Sequence, residues 1–562
     1  MQKIKSSRLL RRLNKVYKEF SVQAAVEKIS LLCAFENRSV KTAAQLLELH
    51  EILCFLRAYP DNPEVFKEVE NLLNAFHKRK DLDKHREELA NSGVVGTPIY
   101  FRFFWPMARW LAETHSQRLY LDWAEMKDTK CLMSLLPVLL PELKTSEFEN
   151  FERTPMEWFM KLNGADETDA TFLMRRLDTI FSNAFEREAL HNFMDLSFKL
   201  KPGRETPSRT LGQYKNSPIV YQESHSQNKP VDLHKILRQK PLSIRHLSPR
   251  QGEELINLAR EAMLTRERDH DAFSYGNKHD VRLVDYADGF QFACIGIIPE
   301  RRYLLPAYYG FLSMNNGIPI GYFQVNVLFK TAELPFHIFE NFRGVETTLI
   351  YARAITLTHL LFNAQHFVVD PYQLGQDNED ALAAGVWWFY YKMGFRSRDR
   401  EIRQIVRREL KKKEINPNHR SSHTTLSQLA NEYLSYDMVP RKSPVNKLTL
   451  TWDVEMGVSA NQTRWGSNRE LGIQEASAEV AKRLGLRSFK GFNRAERQAW
   501  DRWSTLLVNF RGMSRWSKTN RLRVIDIVRA KGAHCEGDYV KLFDRHTLLQ
   551  SAIEKFTTQM EI

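Results

Sequence analysis

The sequence predicts an α+β fold: a central mixed β-sheet with flanking helices, set between an N-terminal helical domain and a C-terminal helical region. Three observations predict it. Apolar residues recur at helical spacing through most of residues 1–200 and 440–562. Between about 242 and 397 the pattern changes to short alternating runs rich in β-branched and aromatic residues, separated by turn residues. At 562 residues the chain is also too long for one hydrophobic core, which implies two to four domains. The expected boundaries are a helical domain over 1–200, a linker over 201–240, the sheet domain over 241–398 and a basic helical region over 399–562.

The first 18 residues are basic, with Leu9, Leu13, Val16 and Phe20 at helical spacing. They read as a first helix with a solvated basic face, or as a transit peptide or surface anchor. Residues 42–57 form a good amphipathic helix, and Asn62-Pro63 opens the next one. The aromatic run Tyr100-Phe101-Arg102-Phe103-Phe104-Trp105 suits a packing core better than a base-stacking platform. A short strand is expected over 118–123. Prolines and glycines between 202 and 230 interrupt all periodicity, which reads as the linker.

The sheet domain opens with a strand over 242–247 and a helix capped by Ser248 with Pro249 at its first position. Strands follow over 281–284, 290–298, 307–314 and 318–329. Asn315-Asn316-Gly317 joins the last two as a hairpin. Then come a strand over 334–339, a helix over 344–362, a strand over 366–370 and a helix over 378–393. Residues 396–435 read as helical and very basic, and one further strand is expected over 448–452.

Composition bounds the function loosely. Hydrophobic residues are 43% and charged residues 27%, ordinary for a soluble globular chain. The net charge of +14 favours an acidic partner: a phosphorylated cofactor, nucleic acid, an acidic protein such as a carrier protein, or a membrane surface. The five cysteines are widely spaced and form no CxxC pair, which argues against a disulfide framework or a zinc site and for a reducing, cytoplasmic compartment. No apolar run is long enough for a transmembrane segment. Phosphate-loop, dinucleotide, zinc-protease and serine-hydrolase motifs are absent, and so is metal-ligand spacing.

One stretch suggests chemistry. In Phe339-Glu340-Asn341-Phe342-Arg343-Gly344-Val345-Glu346-Thr347 a strand passes through a glycine into a helix. A helix N-terminus offers free N–H groups and a positive dipole end to pyrophosphate, and a glycine lets the backbone approach it. The later helix ends Phe389-Tyr390-Tyr391-Lys392-Met393-Gly394-Phe395.

Element order, glycine loop and this helix end together resemble the GNAT superfamily of acyl-CoA N-acyltransferases over roughly 242–397. The loop keeps the central Gly344 but has Asn341 and Glu346 where the family pattern has Gln or Arg and Gly or Ala. The helix end matches closely, with Ala383 at the family's Asn position. The resemblance implies an acyltransferase moving an acyl group from acyl-CoA to an amine acceptor, with an acyl carrier protein or charged tRNA as alternative donors. It implies Tyr390 as proton donor to the leaving thiolate and Phe342, Arg343, Gly344, Val345 and Thr347 as the cofactor-binding loop, with Gln373 or Asn378 supplying the missing Asn contact. Glu340 and Asp370, at strand ends, are the candidate general bases, ahead of His337. No metal is implied. The departures at Asn341, Glu346 and Ala383 motivate a second expectation, a catalytically inactive GNAT-like protein that binds nucleic acid or a protein. The basic residues Arg400, Arg403, Arg407, Arg408, Lys411, Lys412 and Lys413 would serve it, or would attract an acidic carrier.

Overall fold

The computed structural model describes residues 5–126, 129–139, 153–222, 236–237, 239–344, 346–439, 447–466 and 468–558. The helix starts follow local chemistry. Thr42 accepts from the Gln45 N–H, Asn62 from the Val65 N–H ahead of Pro63, and Ser248 forms a capping box with Gln251. The chain is α+β, and its described residues form two sheets.

A small antiparallel sheet holds β1 (Ile99–Phe101), β2 (Leu119–Leu121) and β3 (Phe198–Leu200), with β3 in the middle. The large sheet holds β4 (Ser243–His246), β5 (Gly276–Asp285), β6 (Phe290–Ile297), β7 (Ala307–Asn315), β8 (Ile318–Leu328), β9 (Thr331–Glu333), β10 (Phe336–Ile338), β11 (His366–Val369) and β12 (Leu434–Asp437). Its order is β12-β11-β9-β8-β7-β6-β5-β4, with β10 also on β8. Every pairing is antiparallel except β11 on β9. The β7–β8 hairpin turns at Asn316 (φ +49°) and Gly317 (φ +75°), the paired left-handed residues that such a turn requires.

The N-terminal 200 residues are not one helical body. Leu9, Leu13, Leu46, Phe55 and their neighbours up to Val95 belong to the same core as the sheet and the C-terminal helices. Residues 99–200 have a core of their own, which absorbs Phe103 and Trp105 of the aromatic run. The expected linker is tied down where it is described. Arg57 Nη1 donates to the Thr210 carbonyl at 2.7 Å and the Tyr214 N–H to the Gly317 carbonyl at 2.8 Å. The first helix, Ser6–Val16, buries Leu9, Leu10 and Leu13.

Four expectations need correction. The sheet does not end before 398: β12 closes its edge by pairing with β11, in a stretch read as wholly helical. Residues 448–452 are helical, because Val454, Gly457 and Val458 bury at helical spacing while Trp452 faces solvent. The helix over 378–393 is two helices, Glu379–Ala384 and Val386–Lys392, broken at Gly385 with φ +63°. The strand over 334–339 starts at Thr331 and is interrupted at Leu334-Pro335. The C-terminal helices bury Trp500 and Trp503, and they are pinned to the sheet by Arg302, which donates to the Lys531 and Ala533 carbonyls at 2.6 Å each.

Candidate active site at a forked strand pair

β9 and β10 continue one register along β8. Asn326 opposes Glu333, Phe323 opposes Phe336, and the Gln324 N–H donates to the Pro335 carbonyl between them. The opposite edge behaves differently. β11 runs parallel to β9 over His366–Thr331, Phe367–Ala332 and Val368–Glu333, and among the described residues no pairing with β10 follows. Two prolines explain the divergence. Pro335 has no N–H to give a neighbouring strand, and Pro371 starts the short helix Pro371–Leu374 straight after Asp370. The result is a fork, the kind of opening beside parallel strand ends where ligands sit in open sheets.

Side chains alternate across the sheet, so Tyr322, Gln324 and Asn326 of β8 share one face with Glu333 and His337. On that face Asn326 Nδ2 donates to Glu333 Oε2 at 3.3 Å. His270 Nε2 lies 2.8 Å and Arg268 Nη1 3.1 Å from the Tyr322 hydroxyl. Burial, then the neighbouring Asp370 carboxylate, pushes the Glu333 carboxyl up to about 7. Burial also keeps the His270 and His337 rings neutral, at about 4 and about 3.

The other face of the fork is aromatic. Tyr351, from the helix Thr347–Phe362, packs against Phe336, Tyr390 and Phe395 with ring centroids 5.2, 5.5 and 6.0 Å away. Its hydroxyl is buried with no hydrogen-bond partner among the described residues. Tyr390 is only 2% exposed, and burial followed by the Asp370 charge holds its phenol protonated well beyond the ordinary range. Asp370, where β9 and β11 separate, thus acts through its charge both on Glu333, on the polar face, and on Tyr390, on the aromatic face.

The structure distributes the sequence-based candidates unevenly. Asp370 lies at the fork and also caps the next helix, accepting from the Gln373 N–H at 3.1 Å. Glu340 is a surface acid: its side chain is 86% exposed and 3.7 Å from Arg343. Phe342 is a core residue, its ring 6.3 Å from that of Phe55 and 6.4 Å from that of Tyr59. Asn378 is committed locally, accepting from the Ala381 N–H and donating to the Tyr372 carbonyl. Gln373 is half-buried in the short helix after Asp370. Arg343 is exposed, and Val345 lies outside the described residues.

Gly344 (φ +85°) has no atom within 4 Å of where a Cβ would stand, so the backbone faces open space there. The N–H groups of Gly344, Thr347 and Thr348 find no acceptor among the described residues, as expected for a helix start. Sequence reasoning missed Glu333. Its one signal was its position two residues before Pro335, on the same strand face as Asn326.

No family model matches the chain, and no curated protein or solved structure matches it.

Proposed function

We propose that this chain is an acyltransferase with a GNAT-like sheet, moving an acyl group from a thioester donor to an amine. The observation that carries the reading is the fork between β9 and β11, where the Asp370 charge acts on Glu333 on one face and on Tyr390 on the other. Glu333, held near neutral, takes the proton of the amine as its nitrogen attacks the thioester carbonyl. The carbon–sulfur bond then breaks, and the departing thiolate receives the proton of the Tyr390 phenol. Asp370 is a positioning group, raising Glu333 by its charge. Acyl-CoA is the proposed donor, with its phosphates at the open amides around Gly344; an acyl carrier protein, or an ester-charged tRNA, is the alternative.

The test is release of free thiol from acetyl-CoA and longer acyl-CoAs with a panel of amines, alongside direct binding of each acyl-CoA. Turnover is expected, with Gly344→Asp abolishing acyl-CoA binding. No binding by the unaltered protein, or binding indifferent to that substitution, would sink the reading.

A second reading is favoured by a specific observation. The helix Arg400–Ile415 exposes Arg400, Arg403, Arg407, Arg408, Lys411 and Lys412. A catalytically silent protein could use that face for nucleic acid. Steeply salt-dependent binding to a duplex, undiminished by Tyr390→Phe and without any acyl transfer, would favour it.

A further inference from the structure

The polar face of β8 and β10 runs past the fork to a second group of polar side chains. Tyr322 opposes His337, and Tyr322, Gln324 and Asn326 stand on one face at two-residue steps. Asn326 donates to Glu333, so Tyr322 lies on the order of 13 Å farther along the strand, at about 3.3 Å per residue. Arg268, His270, Gln324 and His337 are all partly exposed, so solvent reaches this row. The Tyr322 ring packs between two imidazoles, His270 at 4.7 Å and His337 at 5.5 Å between centroids.

Donors and acceptors fix what the Tyr322 hydroxyl can do. Gln324 Nε2 donates to His270 Nδ1 at 3.1 Å, so the neutral imidazole carries its proton on Nε2. That N–H and Arg268 Nη1 both donate to the Tyr322 oxygen, at 2.8 and 3.1 Å. The oxygen's acceptor capacity is then used up. The phenol proton meets no acceptor among the described residues and remains for a partner from outside the chain.

The surrounding charge is cationic. Arg266 lies 3.7 Å over the Phe339 ring, whose centroid is 6.1 Å from those of both Tyr322 and His337. Arg343 Nε sits 3.4 Å from the Ile338 carbonyl, and Lys18 Nζ 3.5 Å from the Arg343 carbonyl. Burial, then the charges of Arg268 and Arg343, keeps the His337 ring neutral. The neighbouring carboxylates are engaged elsewhere. Glu267 accepts from Asn91, Asp269 from Ser274 and the Phe104 N–H, and Glu51 is held by Arg209 at 2.8 Å. Asp271 is exposed, and its charge is met by Arg301. Among the described residues only Glu340, itself exposed, comes within ion-pair distance of Lys18, Arg266, Arg268 or Arg343, at 3.7 Å from the last. This excess of cations, with a phenol proton to spare, suits a dianion.

We propose that this end of the face binds a phosphate group and that the phosphate belongs to the acceptor amine. Its oxygens accept from Arg268 and from the Tyr322 hydroxyl, Arg343 and Lys18 supply charge at the rim, and the rest of the acceptor lies along Gln324 toward Glu333. That the phosphate is carried by an acceptor rests on the acyl-transfer reading; the phosphate binding does not.

Calorimetric titration without any acyl donor tests the site, using inorganic phosphate, 8-aminooctyl phosphate, 8-aminooctanoate and 8-aminooctanol. The two phosphates are expected to bind, and the carboxylate and the alcohol to bind about tenfold more weakly or worse. Tyr322→Phe and Arg268→Gln should each weaken binding of the phosphate ester about tenfold, Arg268→Lys less, and Arg403→Gln, on the basic helix, not at all. The comparison of the four probes on the unaltered protein needs no variant to fold. Equal binding of all four, or no binding by any, overturns the proposal. So does a Tyr322→Phe variant with undiminished phosphate binding, which would mean that the phenol gives its proton to His270. Weakening by Gly344→Asp but not by Arg268→Gln would put the phosphate at the helix start and overturn it too. Phosphate binding as expected, with no acyl transfer to any amine, would overturn the catalytic reading and leave the site standing. Transfer without preference for the phosphorylated amine would overturn the claim on the acceptor.

Discussion

Replacing Glu333 with Gln should make the protein more stable at alkaline pH and remove the proposed acyl transfer. The carboxyl is raised from an ordinary 4.5 to about 7, so the folded state holds its proton more tightly than the unfolded chain does. Below about pH 4.5 the group is protonated in both states and costs nothing. As pH rises toward 7 the unfolded chain gains by ionising and the folded chain does not, so stability falls through that window. Above pH 7 the full penalty remains. The rise from 4.5 to about 7, at about 1.4 kcal/mol per tenfold, gives roughly 3.5 kcal/mol as a ceiling.

Glutamine keeps the shape and the hydrogen bond to Asn326 but carries no charge, so Glu333→Gln should recover up to roughly 3 kcal/mol at pH 8 and under about 1 kcal/mol at pH 5. Denaturant unfolding at the two pH values reads the difference. If catalysis needs the base, thiol release should fall by about 10²–10⁴-fold in the same variant. A gain identical at both pH values, or a loss of stability at pH 8, would refute the account of a carboxylate held at the fork against its own solvation.

Further expectations concern the surroundings of the fork and the turns that place it. Asp370→Asn removes the second cause of the Glu333 shift but leaves burial, so the rising limb of the pH–rate profile should move to lower pH without reaching 4.5; an unmoved limb would show that the two carboxyls do not interact. Phe342→Ala empties a site between Phe55 and Tyr59 and should cost about 3–5 kcal/mol in denaturant unfolding, with the glycine loop loosened as a consequence. Gly317→Ala drives a Cβ into the Tyr214 carbonyl at a positive φ, and it should destabilise by more than the roughly 1 kcal/mol of an unclashed left-handed site. Gly385→Ala, also at positive φ but with nothing within 4 Å, gives that smaller figure, so the pair of melting curves separates strain from clash.

Much of the fold was legible from local pattern. The Asn315-Asn316-Gly317 hairpin, the Ser248 cap and the long strands of the sheet each follow from residue types that satisfy a local backbone requirement. Where the sequence misled, long-range packing outweighed local preference. The strand β12 at Leu434–Asp437 exists because β11 has a free edge to pair with, a partner 65 residues away at the Val369–Leu434 pair. The run at 448–452 alternates like a strand but turns helical once Val454 and Val458 find the core. Of the site, Tyr390 and Asp370 were readable from sequence, since each stands at the end of a recognisable element. Glu333 was not, because an acid on a short strand is ordinary until β11 and Asp370 are brought against it.

By itself, then, the sequence determined the alternation of elements, the turns and the placement of the two prolines, all properties of neighbouring residues. Only the tertiary structure decided that Pro335 and Pro371 separate a pair of parallel strands at one point, and that Asp370 there faces Glu333 on one side and acts on Tyr390 on the other. Burial and charge act through space, and no spacing along the chain encodes the distance between β9 and β11.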